Sequence, residues 1–274
     1  MRETSSHENN SYKVFDSDIE IDGISLRVRK IESGSGSKRP PIVFLHDSLG
    51  CIDVWRDFPQ RLCDKSKRDG VVYDRQGYGK SDPFTRARDI GYLEREAETL
   101  AKLVAKLELG KCVLFGHSDG GSIALIAAAK SPELVAGVIT EGAHVFVEEI
   151  TLEGIRQAQK LFAKTDLKQR ITKYHGDKTE GVISAWIDTW LSCEYRDFNM
   201  EHFLPSIKCP VLAIQGVGDE YGSEKQVDAI VEKVSGPSTK DIVDYARHTP
   251  HKEAADYTLN ITSTYICGID SANI

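Results

Sequence analysis

The chain has 274 residues, 40% hydrophobic and 8% aromatic, enough to bury a sizeable core as one domain with an insertion or as two small domains. Its 35 Lys and Arg against 42 Asp and Glu give a net charge of −7 without a dense basic cluster, which excludes the electrostatic footprint of a nucleic-acid or anionic-membrane binder. No apolar stretch approaches the ~20 residues of a membrane-spanning helix, and six scattered cysteines without a Cys-x-x-Cys pair disfavour disulfides and zinc.

In chain order, residues 1–11 are polar, lack the apolar centre of a signal peptide and are expected to be a disordered tail, with a cytoplasmic location and mostly buried free thiols. Residues 12–15 and 24–31 read as strands, the second alternating Ile24, Leu26 and Val28 after the Asp22-Gly23 turn. A Gly/Ser loop at 33–37 precedes the continuous apolar run 41–46, the pattern of a parallel strand buried on both faces. A helix is expected at 54–64, a short strand at 70–73, and a long amphipathic helix at 90–109 with Leu93, Ala97, Leu100, Val104 and Leu107 on one face and Gly110 closing it. Asp74 and Arg75, after the short strand, read as an ion pair with each other.

The apolar run 112–115 leads into Gly116-His117-Ser118-Asp119-Gly120-Gly121, and the Ala-rich helix 122–130 follows. A Gly-x-Ser-x-Gly between a buried strand and a helix is the pattern of a nucleophile elbow, a turn so sharp that bulk at Gly116 or Gly120 would clash. A strand at 134–140 comes next, and then the strand–helix alternation stops. Residues 144–206 carry helical stripes at 151–164 and 179–192 and read as a helical insertion over the site. The alternation resumes with a strand at 210–215, a helix at 223–234, a strand at 241–245 and a helix at 250–267. This pattern specifies an α/β fold with a mainly parallel sheet covered on both faces.

A serine nucleophile needs a base, and the base an orienting acid. Asp219, just past the strand at 210–215, is the acid candidate, with Glu220 as fallback. Of eight histidines, His7 falls in the tail, His175 and His202 in the insertion, His46 ends a strand, and His117 is expected to point away from Ser118. His248, in the loop after the last strand, is favoured as base over His251, expected on the first turn of the last helix.

These segments, together with His46-Asp47-Ser48-Leu49-Gly50, Asp74-Arg75-Gln76-Gly77-Tyr78-Gly79-Lys80-Ser81 and His248-x-Pro250-x-x-Glu253, resemble the α/β-hydrolase superfamily, and within it the capped, cofactor-free serine hydrolases. The resemblance spans about residues 40 to 255. It implies an eight-stranded, mostly parallel sheet flanked by helices, with the core at 12–143 and 207–274 and a helical cap at 144–206. It also implies a catalytic set of Ser118, Asp219 and His248. The family's oxyanion hole maps onto the backbone N–H groups of Ser48 and Asp119. One departure is Asp47, where the family usually carries glycine.

For substrate binding, Trp186 and Trp190, spaced i and i+4, either line the pocket or form the insertion's own packing face, and His144 is a candidate for the cleft wall. Asp119 either attracts a substrate ammonium or simply caps the elbow helix, the reading favoured here. No metal or nucleotide motif is present, so no cofactor and no metal are expected. The expected function is hydrolysis of a small carboxylic ester or thioester, with a small-molecule ester as the partner and neither nucleic acid nor membrane. The alternatives are hydrolysis of a carbon–carbon bond in a dienoate-type ketone, and a ligand receptor that keeps the triad with little turnover.

Overall fold

The computed structural model describes residues 12–34 and 38–271. The expected tail at 1–11, His7 within it, and residues 35–37 of the Gly/Ser segment lie outside the described residues.

An eight-stranded sheet is built in the spatial order β1-β2-β4-β3-β5-β6-β7-β8. β1 (Lys13–Ile21) and β2 (Ile24–Glu32) pair antiparallel, and β2 is antiparallel to β4 (Gly70–Tyr73). Every later pairing is parallel, through β3 (Ile42–Leu45), β5 (Cys112–His117), β6 (Val135–Glu141), β7 (Val211–Gly216) and β8 (Ser238–Val243). The central strands β3, β4 and β5 are buried at every position. The edge strand β1 keeps its charged residues in solvent, which blunts pairing with another chain.

Because side chains alternate across a strand, β3 feeds two cores. Val43 and Leu45 join one core with Leu93, Leu100 and Val104 of α2 (Tyr92–Lys106) and with α3 (Asp119–Lys130). Ile42 and Phe44 join the other with Phe58 and Leu62 of α1 (Phe58–Ser66). The helices over the sheet thus divide between its two faces, as the alternation of elements requires. α3 is the most enclosed, with Asp119 through Ala128 all buried. Truncating Ile126 there to alanine would remove about 2–5 kcal/mol.

Between β6 and β7 the chain forms α4 (Glu149–Lys164), α5 (Leu167–His175) and α6 (Thr179–Trp190). α7 (Lys225–Lys233), the short α8 (Pro250–Glu253) and α9 (Ala255–Ser271) follow. No helix among the described residues is long and apolar enough to cross a membrane.

Several boundaries differ from the sequence expectations. β1 runs on to Ile21, and β8 spans 238–243 rather than 241–245 because its polar start lies on the sheet edge, where burial leaves no apolar signature. The helix expected at 54–64 is a 3-10 turn, Ile52–Trp55, followed by α1, since Arg56 takes a left-handed φ of 56° between them. α5 was not expected at all. Three cysteines, Cys51, Cys63 and Cys112, are buried, whereas Cys193 and Cys267 are exposed.

Candidate active site

The C-terminal ends of β3, β5, β6, β7 and β8 converge on one edge of the sheet, each delivering one loop: His46 to Gly50, Ser118, His144, Asp219 and His248. Open α/β sheets form sites at this edge.

Ser118 sits between β5 and α3 at φ 53°, ψ −120°, a conformation costly for a non-glycine residue. The turn is held by Ser118 N–H donating to the Glu141 carbonyl at 2.8 Å. Its tightness explains the flanking glycines: a Cβ on Gly116 would lie 2.1 Å from the Gly120 carbonyl oxygen, and one on Gly120 would lie 2.1 Å from that of Leu45. Asp119 is the first residue of α3, where the leading N–H groups have no intrahelical partner and face the helix's positive end.

Asp219 and His248 meet as an oriented pair. His248 Nδ1 lies 2.9 and 3.0 Å from the two Asp219 oxygens. Asp219 also accepts from Tyr221 N–H at 2.8 Å and Gln215 Nε2 at 3.1 Å. Burial opposes ionisation of Asp219, but His248, and then the Tyr221 N–H, hold its carboxyl below the usual range. Burial likewise disfavours the imidazolium of His248, yet the charge and hydrogen bond of Asp219, then Asp47 and Glu220, push it up to about 9. The proton on Nδ1 is thereby fixed toward Asp219, leaving Nε2 as the ring atom able to accept a proton. Ser118 and His248 line one cavity of about 70 Å³, without a hydrogen bond between them among the described residues. Such bonds commonly tighten only with substrate in place.

His251 is elsewhere. Its Nδ1 is 2.5 Å from Glu141 Oε2 and its backbone N–H donates to Glu141 Oε1, both groups being buried. Burial pushes Glu141 up to about 7 and His251 well below its ordinary value, so it disfavours the charged form of each. The His117 Nε2 donates to the His248 carbonyl at 2.8 Å, which braces the loop that carries His248. His117, Glu141 and His251 bring ligand-type atoms within 4.8 Å of one another, but their hydrogen bonds already engage one another and the base loop.

The remaining sequence candidates reach the same cavity. Ser48, Asp119, His144, Trp186 and Trp190 all line it. The tryptophans also pack: Trp190 lies 5.0 Å from Tyr195 and 5.2 Å from His144 between ring centroids, so pocket wall and packing face are one surface. The Asp119 carboxylate is buried and already matched. It accepts from Tyr92 OH at 3.0 Å and lies 3.4 Å from Arg88 Nη1 and 3.6 Å from Arg75 Nη2. Asp74 and Arg75 do not pair with each other. Asp74 instead accepts from the backbone N–H groups of Ile52 and Lys80, at 2.6 and 2.7 Å, while Arg75 Nη2 donates to the Asp47 carbonyl at 3.0 Å.

Sequence reasoning missed Thr151, Ile155 and Tyr221 in the cavity wall, the Arg88 clamp on Asp119 and the Glu141–His251 pair. Tyr221 had a signal, its place two residues past the acid. Arg88 sits in a loop without any motif.

A family model described as alpha/beta hydrolase fold matches residues 40–203. The chain belongs to the α/β-hydrolase family. Serine hydrolase BPHL of Homo sapiens is 29% identical over 245 residues, 87% of this chain and 81% of that protein. The 2-hydroxy-6-oxononadienedioate/2-hydroxy-6-oxononatrienedioate hydrolase of Burkholderia vietnamiensis is 28% identical over 233 residues, 73% of this chain and 77% of the relative. Among solved structures, the 2-hydroxy-6-oxo-6-phenylhexa-2,4-dienoate hydrolase from Rhodococcus sp. strain RHA1 superposes with a TM-score of 0.78 at 13% identity, covering 92% of this chain and 98% of its own. That last likeness is one of α/β-hydrolase fold.

Proposed function

We propose that the chain is a serine hydrolase that cleaves a small carboxylic ester or thioester through an acyl-enzyme on Ser118. The observation that carries this reading is the Asp219–His248 pair, with contacts of 2.9 and 3.0 Å, whose His248 lines the same cavity as Ser118. His248 Nε2 takes the Ser118 proton as Oγ attacks the carbonyl carbon. The oxyanion is held by the N–H groups of Ser48 and Asp119, each such donor being worth about 2.7–4 kcal/mol in the transition state. His248 then protonates the departing alcohol or thiol, and the acyl group is released by a water that His248 deprotonates in turn. Trp186, Trp190 and His144 form the wall of the cavity, and the helices between β6 and β7 its cap.

Burst kinetics with p-nitrophenyl acetate test the reading. The wild type is expected to give a stoichiometric burst and then steady turnover, and Ser118→Ala to lower kcat by on the order of 10⁶ with an unchanged circular-dichroism spectrum. A His248→Ala variant that stays active while His251→Ala is inactive would refute the choice of base. A second reading, hydrolysis of a carbon–carbon bond in a dienoate-type ketone, is supported by the 28% identical relative. Turnover of such a ketone without an ester burst would favour it.

A further inference from the structure

Two buried polar side-chain atoms of residues that line the cavity, Ser48 Oγ and His144 Nδ1, have no hydrogen-bond partner among the described residues. His144 follows β6, is 3% exposed, and its ring stands between those of Trp190, at 5.2 Å, and His248, at 5.9 Å. Its Nε2 lies 2.9 Å from the Tyr221 carbonyl oxygen. A carbonyl only accepts, so Nε2 carries the proton. Burial, and then the neighbouring His248, lower the pKa of the ring, which keeps it neutral. Nδ1 is therefore a bare acceptor, and no donor among the described residues reaches it.

The ring is fixed in this tautomer and this pose. Thr151 Oγ1 donates to the same Tyr221 carbonyl at 2.5 Å, which holds that oxygen in place. Ser122 Oγ donates to the His144 carbonyl at 2.6 Å and accepts from its N–H at 3.2 Å, which pins the backbone. A buried acceptor without a partner is unfavourable until a donor arrives. Ser48 Oγ is unpartnered too, but a hydroxyl turns to donate or to accept, whereas this Nδ1 only accepts. Ser118 and His248 are used in the chemistry, and the Asp119 carboxylate is engaged by Arg88, Arg75 and Tyr92.

We propose, resting on the serine-hydrolase reading of this site, that His144 Nδ1 is a specificity-determining acceptor that selects small esters carrying a hydroxyl or N–H donor over their alkyl isosteres. The neutral imidazole then does for the donor-bearing substrate what it cannot do for a methyl group, which leaves the lone pair buried and unpaired.

Two isosteric pairs test this, one for each side of the ester: phenyl glycolate against phenyl propionate, and 2-hydroxyethyl acetate against propyl acetate. In each pair a hydroxyl replaces a methyl group. The wild type is expected to favour the hydroxylated member of at least one pair by about tenfold or more in kcat/KM. His144→Phe is expected to bring that ratio to about one. A second measurement needs neither turnover nor a variant of His144. The Ser118→Ala protein is titrated with each of the four esters while the ¹⁵N resonance of His144 Nδ1 is followed. Only the hydroxylated esters should move it away from the position of an unbonded lone pair, and they should bind about tenfold tighter than their isosteres. Equal rates and equal affinities within both pairs, with an unmoved Nδ1 resonance, overturn the role of His144 and leave Ser118-dependent turnover standing. If instead the wild type turns over none of the esters while the Nδ1 resonance still responds to the hydroxyl, the hydrolase reading fails and the acceptor stands.

Discussion

Asp47 stands in the loop after β3, beside the reaction rather than in it. Burial opposes its ionisation, but the neighbouring His117, Lys252, His46 and His248 hold its carboxyl down at about 2, so it is charged throughout the working range. That charge adds to those of Asp219 and Glu220 in raising His248 to about 9. A general base acts only when neutral, so a raised pKa takes activity away on the acid side. The wild-type kcat/KM is expected to climb about tenfold per pH unit up to about 9 and then level off. Replacing Asp47 by Asn removes one negative charge from beside the imidazole. The limb should then move to lower pH by up to about one unit, with a matching gain in rate at pH 7. Profiles of both proteins from pH 6 to 10 decide it, and coincident limbs would show that Asp47 does not tune the base.

At the scale of elements, the elbow is tied to the helix above it by a chain of polar contacts. Trp190 at the end of α6 donates through Nε1 to Tyr92 OH at 3.2 Å, and Tyr92 OH donates to Asp119 at 3.0 Å. Arg88, from the loop before α2, lies 4.4 Å over the Tyr92 ring and completes the carboxylate's shell. Arg88→Met keeps much of the apolar stem but leaves Asp119 with Tyr92 and Arg75 alone. The loss expected is about 1.5–3 kcal/mol, read as a lower urea midpoint at unchanged slope. Combining it with Asp119→Asn should recover part of that loss, because the amide needs no counter-charge. Strictly additive losses would refute the pairing.

The same cluster marks where the sequence was legible. The elbow could be read because its strand, its glycines and its helix are adjacent in the chain, and their steric reason is local. That Asp219 and His248 meet could be expected because each lies just past a strand at the same edge of the sheet. Arg88 and Asp119 are 31 residues apart and Glu141 and His251 are 110 apart, and no local pattern marks one as the partner of the other. Asp74 and Arg75 mislead for the opposite reason, since neighbours in sequence here send their side chains to different partners. α5 has His175 as its only buried residue, so its apolar periodicity is too weak to announce a helix.

That histidine matters to the molecule as a whole. His175 Nδ1 accepts from Gly79 N–H at 2.9 Å, and its Nε2 donates to the Leu49 carbonyl at 3.0 Å, which ties α5 to the loop that carries Ser48. The Nδ1 contact exists only while the ring is neutral. Four other histidines are in the same position. Burial lowers His46, His117, His144 and His251 as well as His175, and His117 reaches about 4. A histidine with a depressed folded pKa binds its proton in the unfolded chain first. Its contribution to stability is thus present above about 6.5 and is lost as pH falls through the folded value. Each contributes a slope of about 1.4 kcal/mol per pH unit in that window. Glu141, raised to about 7, has the opposite sign between its unfolded value and 7 and offsets about one of them. His248, raised, loses its contribution only above 6.5, so it does not protect on the acid side. The five lowered histidines act in one direction against the raised Glu141, so lowering the pH below 6.5 draws on the 5–15 kcal/mol that typically holds a domain together. The melting temperature should therefore fall steeply from pH 6.5 to 5, and His175→Gln, which can still donate to Leu49 and accept from Gly79, should make that fall shallower by about one histidine's share. A melting temperature flat across that interval would mean that these rings are protonated in the folded state, and the hydrogen bonds through which they hold the loops at this edge of the sheet would have to be redrawn.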